Sequence, residues 1–205
     1  MTGTPPAFVA PTGPDPRTGP PVPAPARSSA LPLTLAFLAG AAVAVGLGVY
    51  GRLHNPSFKP LFDLGFSGML PMKAWLTTVV VVLAVAQLVS ALWMYGRLPG
   101  VGSPPGWLTP VHRWSGTAAF VVSLPVAVHC LWALGFQSYD TRVLIHSIAG
   151  CLFYGAFATK MLGLRIERLP KWALPVLGSL VFTLLVVLWL TSALWYFGQP
   201  GKPVF

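Results

Sequence analysis

Acidic side chains are scarce in this chain, which has four Asp and Glu residues among 205, and charged residues of either sign make up only 8%. An ordinary soluble domain has about 25% charged residues. With 55% hydrophobic residues and a mean hydropathy of +0.71, the chain cannot cover its own surface with polar groups. The composition therefore excludes an ordinary soluble domain and predicts an integral membrane protein.

Several motifs that carry chemistry are also missing. There is no G-x-x-x-x-G-K-[ST], no G-x-G-x-x-G after a strand and no C-x-x-C, so nucleotide binding and thiol–disulfide exchange have no motif behind them. The net charge of +9 contains no basic run with interleaved aromatic residues, which argues against a nucleic-acid partner. No acidic residue lies in the middle of an apolar stretch, which disfavours a carboxylate-based proton transporter.

Long apolar stretches dominate what remains. Five of them reach about 20 residues, the length that crosses roughly 30 Å of hydrocarbon as an α-helix. We predict an all-α membrane protein whose five-helix bundle occupies residues 30–199, with helices at 31–50, 72–95, 114–136, 143–162 and 172–197. Residues 1–29 are rich in Pro and Gly without apolar periodicity, which predicts a disordered tail, and residues 200–205 form a short C-terminal tail.

Lys and Arg are distributed unevenly between the two sides of the predicted bundle. One side holds eight: Arg17, Arg27, Arg97, Arg113, Lys160, Arg165, Arg168 and Lys171. The other side holds five: Arg52, Lys59, Lys73, Arg142 and Lys202. Because positive residues concentrate on the cytoplasmic side, we expect a multi-pass protein with a cytoplasmic N-terminus and an external C-terminus.

Two histidines lie inside apolar stretches, His129 in SLPVAVHCLWALGF and His146 in RVLIHSIAGCLFYG. An imidazole in hydrocarbon normally needs a metal, a cofactor or another polar group as its partner. The connection 137–141 is short, so the third and fourth helices are expected to be antiparallel neighbours. At 1.5 Å per residue, His129 lies about 10 Å and His146 about 6 Å below the outer surface. A haem b with one axial nitrogen from each helix fits this arrangement, and such ligation suits electron transfer.

Two neighbours of His146 are consistent with a flat cofactor. Gly150 follows it by four residues and leaves a groove without a side chain, through which a macrocycle could pass. Arg142 precedes it by four residues, nearer to the outer surface, where a guanidinium pairs well with a haem propionate. The alternative interpretations are helix packing for Gly150 and interfacial snorkelling for Arg142.

His112 begins a related pattern, because HRWSG has the same H-x-x-x-G spacing as HSIAG at residues 146–150. A second haem is the alternative that this pattern raises, with Met161 as a partner ligand. His112 and His129 are 17 residues apart, or about 260° around a straight helix, unless Pro125 distorts it. We therefore expect a single haem and interpret His112 as part of a quinone-head or lipid-head site.

The segment from Pro110 to Leu164 is similar to bacterial b-type membrane cytochromes and ferric-reductase-like transmembrane haem domains. The resemblance is carried by HRWSG from His112, by His129 on the same helix and by His146 on the next. It implies haem b, a quinol donor, a redox partner protein on the outer side and the bacterial cell membrane. Members often hold two haems between two stacked histidine pairs, whereas one complete pair is visible here.

The remaining polar residues of interest have simpler interpretations. Cys130 and Cys151 lie inside predicted helices and are interpreted as packing residues rather than as a redox pair. A zinc or copper site that uses His129 and Cys130 together is disfavoured, because adjacent residues point about 100° apart on a helix. His54 lies in the external connection between the first two helices, where it is either exposed and inert or part of a loop that folds over the haem.

These patterns predict a membrane-bound b-type cytochrome that transfers single electrons between the quinol pool and an outer-side partner. Such a chain is an electron-transfer subunit rather than a complete oxidoreductase. The alternative is a cofactor-free membrane anchor or assembly subunit of a larger complex, in which the two histidines only form hydrogen bonds between helices. Membrane lipid is a partner in either case.

Overall fold

Five long helices make up the computed structural model of the protein, which describes residue 3 and residues 30–202. They are α1 (Ala30–Leu53), α2 (Met69–Met94), α3 (Leu108–Leu134), α4 (Thr141–Gly163) and α5 (Ala173–Phe197), and these residues form no strand. Each helix is long and apolar enough to cross a membrane, which confirms the predicted five-helix membrane fold. The predicted disordered tail lies outside the described residues, apart from residue 3, and so does the last part of the C-terminal tail.

Successive helices run in opposite directions, so the ends of α1, α3 and α5 lie on the same side of the bundle as the starts of α2 and α4. The connection 54–68 lies on this side, which we call the loop end. We call the opposite side, where α1 begins, the tail end. Around the bundle, α1 packs on α4, α4 on α5, α5 on α2 and α2 on α3.

The helices α3 and α4 run antiparallel, as predicted, but they meet mainly through large side chains. The rings of Phe120 and Phe157 stack with centroids 4.5 Å apart. The hydroxyl of Tyr154 donates to the carbonyl oxygen of Ser123 at 3.2 Å. These side chains hold the two backbones apart near the middle of the bundle, and a gap opens between the helices toward the loop end.

The contact between α1 and α4 is built in the opposite way, from small residues. A Cβ atom added at Gly155 would lie 2.6 Å from the carbonyl oxygen of Gly40 and 2.8 Å from the Cβ of Ala44. A Cβ atom added at Gly40 would overlap the hydroxyl of Thr159. Small residues four positions apart allow such close backbone approach between membrane helices.

Two helices begin at least three residues earlier than predicted. The helix α2 starts at Met69 rather than at residue 72, and α3 starts at Leu108 rather than at residue 114. Each of the early starts contains a proline, Pro71 or Pro110, which the first turn of a helix tolerates because its N–H groups have no intrahelical partner. As a result His112 lies inside α3, and Lys73 lies about one turn from the start of α2 rather than at its second residue.

Two π-helical segments lie near the loop end, His129–Leu134 in α3 and Leu190–Leu194 in α5. The first follows Pro125, which has no N–H to donate to the helix ladder. A π segment changes the direction in which the following side chains point and is often found at functional sites. Both segments contribute residues to the cavity described next.

Candidate ligand cavity at the loop end

A cavity of about 590 Å³ lies between α3 and α4 in the loop-end half of the bundle, with α2 and α5 closing its sides. Small-molecule pockets usually have volumes of roughly 300–1,000 Å³. Most of the lining is apolar, and its charged or titratable side chains are Lys73, Cys130, Tyr139, Arg142, His146, Cys151, Tyr154 and Tyr196. Among the described residues, no Asp or Glu lines it. The cavity therefore has the size and polarity of a ligand site whose charged groups are cationic.

His146 lies on the wall of this cavity, in the second turn of α4. The helix begins where the side chain of Asp140 accepts the N–H of Val143 at 2.7 Å, a typical N-cap. The Nδ1 of His146 is 3.0 Å from the hydroxyl oxygen of Thr191, which itself donates to the Val187 carbonyl at 2.7 Å. Because the hydroxyl proton is used there, the Nδ1–H of His146 donates to Thr191. In a neutral imidazole with this hydrogen bond, the lone pair is on Nε2, which is the form that a metal ligand requires.

His129 is fully buried, with 0% exposure, but it does not line the cavity. Its Nδ1–H donates to the carbonyl oxygen of Pro125 at 2.8 Å, and its Nε2 accepts the N–H of Leu61 at 3.2 Å. The ring of Phe62 meets the imidazole edge-on at 4.6 Å. The tautomer again leaves the lone pair on Nε2, yet a loop amide occupies that lone pair. The structure therefore does not bring His129 and His146 onto one wall.

The connection 54–68 folds over the loop end of α3. The N–H of Phe58 donates to the carbonyl oxygen of Ala133 at 2.9 Å. His54 is half-buried, its Nε2 lies 3.2 Å from the carbonyl oxygen of Trp132, and the two rings pack 4.6 Å apart. His54 is thus a contact residue of a folded loop rather than an exposed, inert histidine.

Lys73 is a cavity residue that the sequence analysis did not identify, since it was counted as an outer-side loop charge. It is only 7% exposed and lines the cavity wall from α2. The thiol of Cys130 lies near both Lys73 and His146, so side chains from three helices meet here. Cys130 therefore lines the cavity, and its interpretation as a packing residue stays a prediction. The signal for Lys73 was Pro71, which fits the first turn of a helix and moves the helix start toward the loop.

Arg142 and Gly150 both line the cavity, as the interpretation of a flat cofactor expects of them. The Arg142 guanidinium donates to the carbonyl oxygen of Thr191 at 2.7 Å, lies 3.9 Å from the centre of the Trp195 ring and is 3.8 Å from the Asp140 carboxylate. A Cβ atom at Gly150 would meet only the side chain of Leu188, at 3.8 Å. Gly150 therefore lines the cavity, and a Cβ atom there would make an ordinary contact with one side chain rather than meet a neighbouring backbone.

His112 lies at the tail end, away from the cavity. Its Nδ1 is 2.7 Å from the hydroxyl of Ser90, and that hydroxyl donates to the Gln87 carbonyl at 3.1 Å. The Gln87 amide in turn donates to the hydroxyl of Ser115 at 2.6 Å. His112 thus belongs to a polar contact between α2 and α3, and its proposed quinone role stays a prediction.

No group of three or more His, Cys, Asp and Glu side chains is arranged to hold a bare metal ion within the ranges that the structure describes. A haem needs only one or two protein ligands, because the macrocycle supplies four.

The fold and the cavity define a multi-pass membrane protein with a ligand-sized, cation-bearing cavity at one end of its bundle. Residues 33–204 match the Family of unknown function (DUF6529), and the chain belongs to that family. No curated protein and no solved structure matches the chain.

Proposed function

We propose that the protein is a membrane-bound b-type cytochrome that holds one haem in the loop-end cavity. The observation that carries this proposal is the state of His146, which faces a cavity of about 590 Å³ with its Nδ1–H fixed by Thr191. Ligating histidines commonly donate their other ring N–H to an oxygen acceptor, which orients the ring and raises its basicity. His146 is therefore prepared to be an axial ligand.

Other cavity residues fit the remaining parts of a haem. Gly150 leaves one wall open for the macrocycle, next to Leu188. Lys73 and Arg142 supply positive charge for the propionates, which are carboxylates. When bound, the haem supplies one-electron chemistry at its iron, and the protein supplies orientation and electrostatics. We propose that the electrons pass between quinol and a redox partner at the loop end.

In this proposal His129 would provide the second protein nitrogen that holds the haem iron. Its Nδ1–H is already fixed by the Pro125 carbonyl, so Nε2 has the lone pair that iron needs. The 3.2 Å hydrogen bond from Leu61 must open for ligation to occur. The adjacent residue Cys130 lines the cavity. A shift of about one residue in the register of the π segment His129–Leu134 would therefore turn the His129 side chain toward the cavity.

The proposal also includes an orientation of the bundle in the membrane. Among the described residues, Lys and Arg at the tail end are Arg97, Arg113, Lys160, Arg165, Arg168 and Lys171, against Arg52, Lys59, Arg142 and Lys202 at the loop end. Lys73 no longer counts as a loop charge, because it is buried. This asymmetry supports a cytoplasmic tail end and an external loop end in the bacterial plasma membrane.

A cofactor-free membrane anchor or assembly subunit is the second candidate, and one observation favours it. Both ring nitrogens of His129 are hydrogen-bonded within the protein, to Pro125 and Leu61, as expected of a histidine that only links structural elements. The cavity is harder to explain in this way. A bundle that only anchors a complex gains nothing from a buried lysine, since burying a charge without a partner is costly.

The absorption spectrum of the purified protein, expressed with ample haem, separates the two candidates. The cytochrome predicts a Soret band with sharp α and β bands on reduction. His146→Ala should remove the Soret band, while His129→Ala should leave a haem with an altered, high-spin spectrum. His112→Ala is the matched control and should leave the spectrum unchanged. A folded but colourless wild-type protein would refute the cytochrome and favour the anchor.

A further inference from the structure

Lys73 brings a positive charge into the bundle without a carboxylate to balance it. It is 7% exposed, and no Asp or Glu lines its cavity in the described part of the chain. Within the described part of the chain, Asp140 pairs with Arg142 rather than with Lys73. The neighbour of Lys73 in the cavity is the thiol of Cys130. Within the described lining no carboxylate balances this ammonium, so the acid group of a ligand would meet a cation whose protein neighbour is a thiol.

The second cation of the cavity is in a different situation. Arg142 donates to the Thr191 carbonyl, lies against the face of Trp195 and is near the Asp140 carboxylate. These protein groups use the charge and several N–H donors of its guanidinium. An anionic group of a ligand would therefore pair more strongly with Lys73 than with Arg142.

The rest of the cavity shows what kind of molecule could supply this anion. Toward the middle of the membrane the wall consists mainly of apolar side chains, including Val80, Phe153, Leu185 and Leu188, and its polar side chains Ser123 and Tyr154 are hydrogen-bonded to each other. Val80 lies seven residues beyond Lys73 on α2, or about 10 Å along the helix axis. The cavity thus extends from a cationic end into an apolar interior, which matches a ligand with an acid group on an apolar body.

We propose that the cavity binds a carboxylate-bearing apolar ligand whose acid group pairs with the ammonium of Lys73. Two sources share this chemistry, a haem propionate and the carboxylate of a fatty acid. For haem, the inference rests on the proposed function and names the residue that anchors the cofactor. For a fatty acid, it stands without that function. Arg142 then contributes less than Lys73 to the binding of the acid group, because protein groups already use several of its donors.

The test compares acids with their esters on the full-length protein in lipid nanodiscs, freed of any bound ligand. The probes are haemin and its dimethyl ester, followed by the Soret band, and dodecanoate and methyl dodecanoate, followed by displacement of a fluorescent fatty acid. The variants are Lys73→Met and, as a matched control, Lys59→Met in the exposed part of the connection 54–68. Comparing variants for each probe cancels the partitioning of that probe into lipid.

We expect Lys73→Met to weaken binding of the acids by at least about thirtyfold, because it leaves a buried carboxylate without its partner. The esters should bind the wild type and Lys73→Met equally, and Lys59→Met should bind every probe like the wild type. The melting temperature gives an independent readout. Without ligand, Lys73→Met should melt higher than the wild type, since it removes an unbalanced buried charge.

The outcomes distinguish this inference from the cytochrome. Binding of dodecanoate but not haemin, with loss in Lys73→Met, would support the Lys73 site and refute the haem. Haemin binding that is equal in the wild type and Lys73→Met would support the haem and overturn the Lys73 site. The same conclusion would follow if Lys73→Met weakened binding of the dimethyl ester as much as binding of haemin. No binding of either acid would overturn both. A lower melting temperature of Lys73→Met without ligand would also contradict the inference, because Lys73 would then stabilise the bundle itself.

Discussion

The two faces of α4 are packed in opposite ways, although both carry a glycine. On the face toward α1, Gly155 lies so close to Gly40 that a Cβ atom would come within 2.6 Å of its carbonyl oxygen. On the face toward α3, Gly150 and His146 border a cavity of about 590 Å³. A small residue in a membrane helix therefore has two meanings. It marks helix packing where a neighbouring backbone is close, and room for a ligand where none is.

The largest effect is expected from breaking the packed face. Gly155→Ala places a methyl group against the backbone of α1, and we expect it to destabilise the bundle by about 3 kcal/mol. Thermal or denaturant unfolding in detergent measures this. Gly178→Ala in α5 is the matched control, because a Cβ atom there would meet nothing within 4 Å. Equal stability of the two variants would show that α1 and α4 do not approach as described.

Filling the open face should affect ligand binding rather than folding. In Gly150→Leu the new side chain enters the cavity, and its Cβ atom would be in van der Waals contact with Leu188 at 3.8 Å. We expect haem content to fall at least about tenfold, while stability changes by less than about 1 kcal/mol. Haem content per protein and the unfolding midpoint are measured on one preparation. A variant with full haem content would place the haem elsewhere.

His129 should contribute more to the loop than to the bundle. His129→Ala removes the acceptor of the Leu61 N–H and the contact with Phe62, at a cost of about 1–2 kcal/mol. Hydrogen exchange of the connection 54–68 should therefore accelerate, with α4 unaffected. Protection of the loop that is the same in wild type and variant would mean that His129 does not hold it.

The smallest effect is expected from Arg142→Gln. The substitution keeps a donor for the Thr191 carbonyl and loses the partly exposed pair with Asp140 and the contact with Trp195, worth up to about 1 kcal/mol together. Acid binding should weaken much less than in Lys73→Met. A loss as large as in Lys73→Met would assign the acid group to Arg142, as the sequence interpretation had it.

The five spans could be predicted from the sequence, because apolar length alone specifies a membrane helix. The cavity could not, since the separation of α3 and α4 depends on where Phe120 and Phe157 meet in the folded bundle. The direction of the His129 side chain could not be predicted from helical periodicity either. It begins a π segment, in which the assumed 3.6 residues per turn do not hold.

The proposed haem site on the cavity face of α4 depends most on His146. The most direct test is the ratio of haem to protein in wild type and His146→Ala, purified in parallel after expression with ample haem. The account predicts one haem per wild-type chain and almost none in His146→Ala, with similar melting temperatures once the haem is removed. A wild-type protein without haem, or a variant that retains it in full, would contradict the account.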